Sequence, residues 1–161
     1  MRPVLHVFVL CASILGAFTP SSVSIMQIQG RGHPSPFSGD SVVTTGVVTV
    51  VSRNGFFVQD PLGDDDPATS DGLFAFTGST PADDAGDWVR LEGVVTEYRP
   101  GNDRENLTIT EITRPRIETL SKGHTIPEPI ILGCYGRIPP TETTDDDGFR
   151  DFDPGSDAID F

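Results

Sequence analysis

The chain has 161 residues, enough for one domain with a hydrophobic core and flanking segments. Its 24 acidic residues outnumber its 11 lysines and arginines, and the formal net charge is −13. Such a charge repels polyphosphates unless the few arginines cluster, so the composition excludes a broadly basic nucleic-acid-binding surface. It fits a protein that must stay soluble in salt or outside the cell.

The N-terminus has the pattern of an export signal. A basic residue precedes an apolar run over residues 3–18, which is shorter than a membrane-spanning helix. The small residues Ser22 and Ser24 then occupy the −3 and −1 positions of a cleavage site. We therefore predict a signal peptide over residues 1–24, a secreted protein and no membrane association after cleavage. A retained N-terminal anchor helix is the alternative.

Cysteine usage is sparse. Cleavage would remove Cys11 and leave Cys134 alone, so no intrachain disulfide is expected. A single thiol of this kind is most simply a small buried hydrophobe.

Strand signals dominate the rest of the chain. β-Branched residues fill 41–51, and an Asn-Gly turn leads into a second apolar segment over 54–60, which predicts a hairpin. Three further strands are predicted over 71–76, 87–98 and 106–112. No segment shows a sustained helical period.

Two glycines indicate how these strands close into a fold. Gly46 and Gly93 each precede Val-Val-Thr within a long strand, and a glycine inside a strand usually marks a bulge or a bend. Two bent long strands and three short ones predict an all-β fold, a five-stranded OB-fold Greek-key barrel. The barrel is expected over 41–120, preceded by a connecting segment over 25–40. An irregular, acidic, Pro/Asp-rich tail over 121–161 follows it.

Several ordered blocks carry a resemblance to a known family. They read "MQIQGRGHPSPFSGD", "GFFVQD", "TSDGLFAFTG" and "LTITEITRPRIETLSKGHTIPEPIILG". With the acidic tail they cover residues 26–161, which resemble the N-terminal part of ExeM/NucH-type extracellular nucleases. The resemblance implies an OB-fold module that precedes a catalytic domain of the endonuclease/exonuclease/phosphatase superfamily. The family's active-site residues have no matching positions in this chain.

The chain itself offers no catalytic constellation. Phosphodiester hydrolysis in that superfamily needs carboxylates around a divalent metal and a histidine acid or base. After cleavage the histidines are His33 and His124, both flanked by glycine and proline in predicted loops. We expect His33 to bond local backbone. Whether a longer parent protein is an enzyme stays open, but we expect no active site here.

Two acidic clusters are the candidates for metal binding. One comprises Asp64, Asp65, Asp66 and Asp71, and the other lies within 145–153. Calcium prefers several oxygen ligands, but the ligand alternation of an EF-hand is missing. We therefore predict solvated acidic loops with no cofactor, with bound calcium as the alternative.

An exposed aromatic side chain is the candidate for ligand binding. The period of two in "GFFVQD" separates Phe56 and Val58 from Phe57. If the first two fill the core, Phe57 is free to stack on a base, as aromatic residues do in OB domains. The aromatic residues Phe74, Phe76 and Trp88 are expected to form core or cover. The predicted nucleic-acid site comprises Arg53, Phe57, Arg90, Tyr98 and Arg99.

Three functions stay open at this point. The first is a non-catalytic, monomeric OB module that binds single-stranded nucleic acid, DNA rather than RNA, beside a downstream nuclease domain. The second is a docking or structural module of a secreted protein. The third is an acidic calcium-binding secreted protein.

Overall fold

The computed structural model describes residues 21–66, 68–103 and 106–136. Its elements, in chain order, are β1 (Ser21–Ser22), α1 (Ile25–Gln29), β2 (Ser41–Val51), β3 (Gly55–Gln59), β4 (Gly72–Phe76), β5 (Trp88–Tyr98), a 3-10 turn (Pro100–Asn102) and β6 (Ile109–Ser121). Within these ranges no helix is long and apolar enough to cross a membrane.

Five strands, β2 to β6, form one mixed sheet that closes in a ring. Antiparallel pairs join β2 to β3 and β3 to β4, and β4 then runs parallel to β6. Antiparallel pairs also join β6 to β5 and β5 back to β2. Within the described residues the helical elements are the five-residue α1 and a 3-10 turn, so the all-β prediction is confirmed for this part of the chain.

The two strand glycines lie where a side chain would collide with a neighbour. A Cβ atom at Gly46 would lie 2.6 Å from Val58 Cγ2, and one at Gly93 would lie 2.6 Å from Ile112 Cγ2. The β5–β6 register also shifts between Glu92 and Val94, so Gly93 sits at an irregularity of the kind predicted. No register shift occurs at Gly46, where close approach alone requires glycine.

Alternate residues of the strands fill the interior of the ring. Phe56 is fully buried, whereas 47% of Phe57 is exposed, which confirms the predicted orientation of β3. The remaining buried core residues on the ring strands include Val42, Val48, Val58, Leu73, Ala75, Val89, Leu91, Val95 and Ile112.

The segment before β2 packs against the ring and contains a helix that the sequence analysis did not predict. Ser24 caps α1 through a capping box with Gln27, and Ile25 and Ile28 are fully buried. Upstream, β1 runs parallel to the first part of β2, and the Val23 N–H donates to the Val43 carbonyl oxygen at 2.9 Å.

The predicted signal peptide therefore reaches into the fold. Residues 1–20 lie outside the described part of the chain, but residues 21–24 form β1, the buried Val23 and the helix cap. A cleavage after Ser24 would separate these contacts from the ring. The cleavage position stays a prediction.

The last strand extends nine residues beyond its predicted end at residue 112, since β6 ends at Ser121. Residues 122–136 follow without a further strand, and residues 137–161 of the predicted tail lie outside the described part. Cys134 is exposed, so the expectation of a buried thiol was wrong. The chain around it leaves the ring and offers no interior for the side chain to enter.

Candidate ligand-binding groove

A groove of about 500 Å³ lies on the outer face of the ring, across β3, β4 and β6. This volume is within the usual range for small-molecule pockets, about 300–1,000 Å³. We call it the aromatic groove. Its lining residues are Ser52, Asn54, Phe57, Phe74, Phe76, Tyr98, Ile109 and Glu111.

The period of the strands places the aromatic rings in the groove. Phe57 on β3 pairs directly with Phe74 on β4, and their ring centroids are 4.9 Å apart at a tilt of 51°. Leu73 and Ala75 point into the core, so Phe74 and Phe76 point outward and are only partly buried. Phe74 and Phe76 are therefore not core residues, because both residue sets of "LFAF" are apolar and the smaller one, Leu73 and Ala75, faces inward.

A carboxyl group lies at the floor of the aromatic groove. Glu111 on β6 pairs with Phe74 on one side and with Thr96 on the other, and only 7% of it is exposed. Burial raises the pKa of the Glu111 carboxyl, and a hydrogen bond from Thr113 Oγ1 at 3.3 Å acts in the opposite direction. Sequence reasoning missed Glu111, since one acid within the polar alternation of "TITEIT" gives no signal of a groove.

One end of the aromatic groove continues into a more polar depression that shares Phe57, Phe74 and Ile109 with it. His33 lies in this depression, where its Nε2 accepts a hydrogen bond from the Thr108 N–H at 3.0 Å. Thr108 lies 75 residues away in the chain, a long-range partner that the expectation of a local backbone bond did not include.

A second carboxyl group holds this polar end together. Glu97 accepts hydrogen bonds from Thr108 Oγ1 at 2.7 Å, Thr110 Oγ1 at 2.8 Å and the Ser35 N–H at 2.9 Å. These bonds tie the segment before β2 to the start of β6. Glu97 is therefore occupied by structural bonds, in contrast to Glu111.

The predicted site residues fall into two groups. Phe57 and Tyr98 line the same groove, and Arg53 lies between the groove residues Ser52 and Asn54 in the β2–β3 turn. Arg99 directly follows Tyr98, and its guanidinium donates to the Asn106 carbonyl oxygen. These four residues are thus in or next to the aromatic groove.

Arg90 is the predicted site residue that the structure places elsewhere. It pairs with Glu92 at 3.3 Å and with Glu118 at 4.0 Å. It lies eight residues before Tyr98 on β5, about 26 Å along an extended strand. Arg90 therefore does not contribute a cation to the aromatic groove.

The first acidic cluster forms a loop between β3 and β4 with internal bonds. Asp64 Oδ1 accepts from the Asp66 N–H at 3.0 Å, and Asp66 pairs with Arg31 at 2.7 Å. Burial and the neighbouring carboxylates Asp64 and Asp60 raise the pKa of Asp71. In the described ranges no group of three or more histidine, cysteine or acidic side chains is placed to hold a metal ion, and the second cluster, within 145–153, lies outside them.

Comparison with known protein families, with curated proteins and with solved structures finds no match for this chain. The resemblance to extracellular nucleases rests on the sequence blocks alone.

Proposed function

We propose that the chain is a non-catalytic OB module that binds single-stranded nucleic acid, DNA before RNA, by stacking bases in the aromatic groove. The half-exposed Phe57 ring against Phe74 is the observation that carries the proposal. Aromatic platforms of this kind hold single strands because every base has a face that can stack.

The position of the groove in the ring supports the same function. OB domains bind oligonucleotides on their second and third strands and through the loops that join strands one to two and four to five. Among the five ring strands, β3 and β4 are second and third in chain order, and they carry Phe57 and Phe74. Arg53 and Arg99 lie in the two corresponding loops.

The charge of the chain limits how such binding can work. A net charge of −13 opposes the phosphate backbone, and two arginines flank the groove. Two phosphate contacts to a single strand give a salt slope of about −1.4, which is shallow. Stacking, at about 1–3 kcal/mol per base, is therefore the larger source of affinity.

The test is binding of a fluorescent oligothymidylate to the purified chain at low salt. Phe57→Ala should weaken binding about tenfold through the lost stacking. Tyr135→Ala is the matched control, since it removes an aromatic ring that is fully exposed outside the groove. Equal affinity of wild type and Phe57→Ala would contradict a stacking platform.

A docking module is the second candidate, and a different surface favours it. The segment after β6 exposes several apolar side chains, including Ile130 at 68%, Ile131 at 66% and Leu132 at 54%. A chain that binds no oligonucleotide at low salt would favour docking on a protein over the nucleic-acid function.

The wider setting belongs to the same proposal. Secretion rests on the predicted signal peptide, and a downstream nuclease domain rests on the family resemblance. In that setting the module is a monomer that presents single strands to the nuclease domain and carries out no chemistry itself.

A further inference from the structure

Glu111 is a buried carboxyl group whose bonding capacity is largely unused. An ionised carboxylate offers about four acceptor positions, and the one hydrogen bond to Glu111 within the described residues is the 3.3 Å contact from Thr113 Oγ1. Burying a carboxylate with so few partners is unfavourable. Glu97, one strand away, accepts three shorter bonds. Fold requirements thus account for Glu97 but leave Glu111 without a structural role.

The sheet register places this carboxyl group beside the stacking surface. Phe57, Phe74 and Glu111 are consecutive partners across β3, β4 and β6. Neighbouring strands lie about 4.8 Å apart, so a base that stacks on the Phe74 ring presents an edge to Glu111, the cross-strand partner of Phe74. All three side chains line the aromatic groove.

The two oxygens of a carboxylate match two adjacent hydrogen-bond donors. Guanine has such a pair on its Watson–Crick edge, the N1–H and the N2 amino group. Adenine, cytosine and thymine instead place an acceptor next to each donor there, and this acceptor would face a carboxylate oxygen. We infer that Glu111 makes the aromatic groove selective for guanine through a bidentate hydrogen bond to N1 and N2. This inference rests on the proposed function.

The experiment uses the full chain and pentathymidylates whose central base is thymine, adenine, cytosine, guanine or hypoxanthine. The titrations are run at about pH 8, because alkaline solution favours the ionised form of the carboxyl group, whose pKa burial raises. We expect the guanine oligomer to bind about tenfold more tightly than the others, since bidentate pairs discriminate strongly. Hypoxanthine lacks the N2 amino group, so it should lose most of this gain.

The variant Glu111→Gln tests the assignment to one side chain. Its amide places a donor beside an acceptor, an arrangement that any base can match, so the ratio of guanine-oligomer to thymine-oligomer affinity should fall from about ten to about one. Glu118→Gln is the control, because it removes the same charge from the same strand at a position paired with Arg90 outside the groove. It should keep the preference.

The outcomes separate this inference from the proposed function. Binding of all five oligomers with equal affinity would overturn guanine selection and leave the stacking platform intact. A guanine preference that survives in Glu111→Gln would also overturn it, because another group would then read the base. Failure of every oligomer to bind would overturn the proposed function and the inference together.

Discussion

Phe56 and Phe57 are chain neighbours with opposite surroundings. Phe56 is fully buried, so Phe56→Ala should lower the free energy of unfolding by about 3–5 kcal/mol through lost packing and a cavity. Phe57 is half exposed in the groove, so Phe57→Ala should change it far less. Urea denaturation of the two variants measures the difference. The reverse order would show that β3 has the opposite face inward.

Thr44 carries a buried polar atom without compensation. It is 3% exposed, and its Oγ1 has no hydrogen-bond partner among the residues that the structure describes. Thr44→Val keeps the branched shape and removes the hydroxyl, so it should raise the free energy of unfolding by about 1 kcal/mol. Urea denaturation measures the change, and a loss of stability would mean that the hydroxyl has a partner.

Glu111 should make stability depend on pH. Burial raises its folded-state pKa above the ordinary value of 4.5, so the folded state holds the proton more tightly than the unfolded state does. Its contribution to stability is thus complete below about pH 4.5 and is lost as the pH rises through the folded-state pKa. Glu111→Gln removes the ionisation.

Thermal melting across pH checks this expectation. The Gln variant should melt at a higher temperature than wild type near neutral pH, and the difference should shrink as the pH falls toward 4.5. A variant that is less stable at every pH would mean that the Glu111 carboxylate makes a favourable contact in the fold.

Residue patterns predicted part of the groove and missed the rest. Phe57 and Tyr98 were identifiable because a period of two in "GFFVQD" and a predicted long strand fix their faces. Phe74 and Phe76 were assigned to core or cover, since "LFAF" is apolar on both faces and its orientation depends on which set packs inside. Glu111 depends on a parallel pairing of β4 with β6, which no local pattern encodes.

The strand preceding the ring is the element whose contribution can be tested by truncation. A chain that begins at Ile25 lacks β1, the buried Val23 and the capping side chain of Ser24, which by itself contributes about 1 kcal/mol. A chain that begins at Ser21 keeps all three. The shorter chain should melt at a lower temperature.

Thermal melts of the two chains test whether residues 21–24 stabilise the fold. Equal melting temperatures would show that residues 21–24 add nothing to the fold, which would agree with a mature protein that starts at Ile25. A clear difference would favour a mature chain that retains Val23 and Ser24.

The bounds of a strand can be predicted from the sequence where β-branched residues fill the strand and a turn motif ends it. β2 was predicted with its observed bounds, and β3 to β5 differ by a residue at one or both ends. β6 was predicted to end at residue 112, whereas the strand continues through Pro115 to Ser121, with Arg114 at a positive φ of 45°. α1 is too short for a helical period, and its one signal is the Ser24–Gln27 capping box.

For the whole molecule, the net charge disfavours binding of phosphate groups, whereas the aromatic groove favours binding of a planar ring. The chain carries a net charge of −13, yet the groove is lined by four aromatic rings, Ile109, the polar Ser52 and Asn54, and one carboxyl group. Under the proposed function, a nucleic-acid ligand would gain affinity by stacking in the groove, while its phosphates would gain little. Contact between the aromatic groove and a base is therefore the interaction on which the proposed function depends.

Amide chemical shifts measured during titration with an oligothymidylate at low salt test for that contact most directly. We predict shifts at Phe57, Phe74 and Ile109, which line the aromatic groove. The amides of Arg90 and Glu118, outside the groove, should not move. Shifts confined to residues 122–136, or none at all at low salt, would contradict base stacking in the aromatic groove.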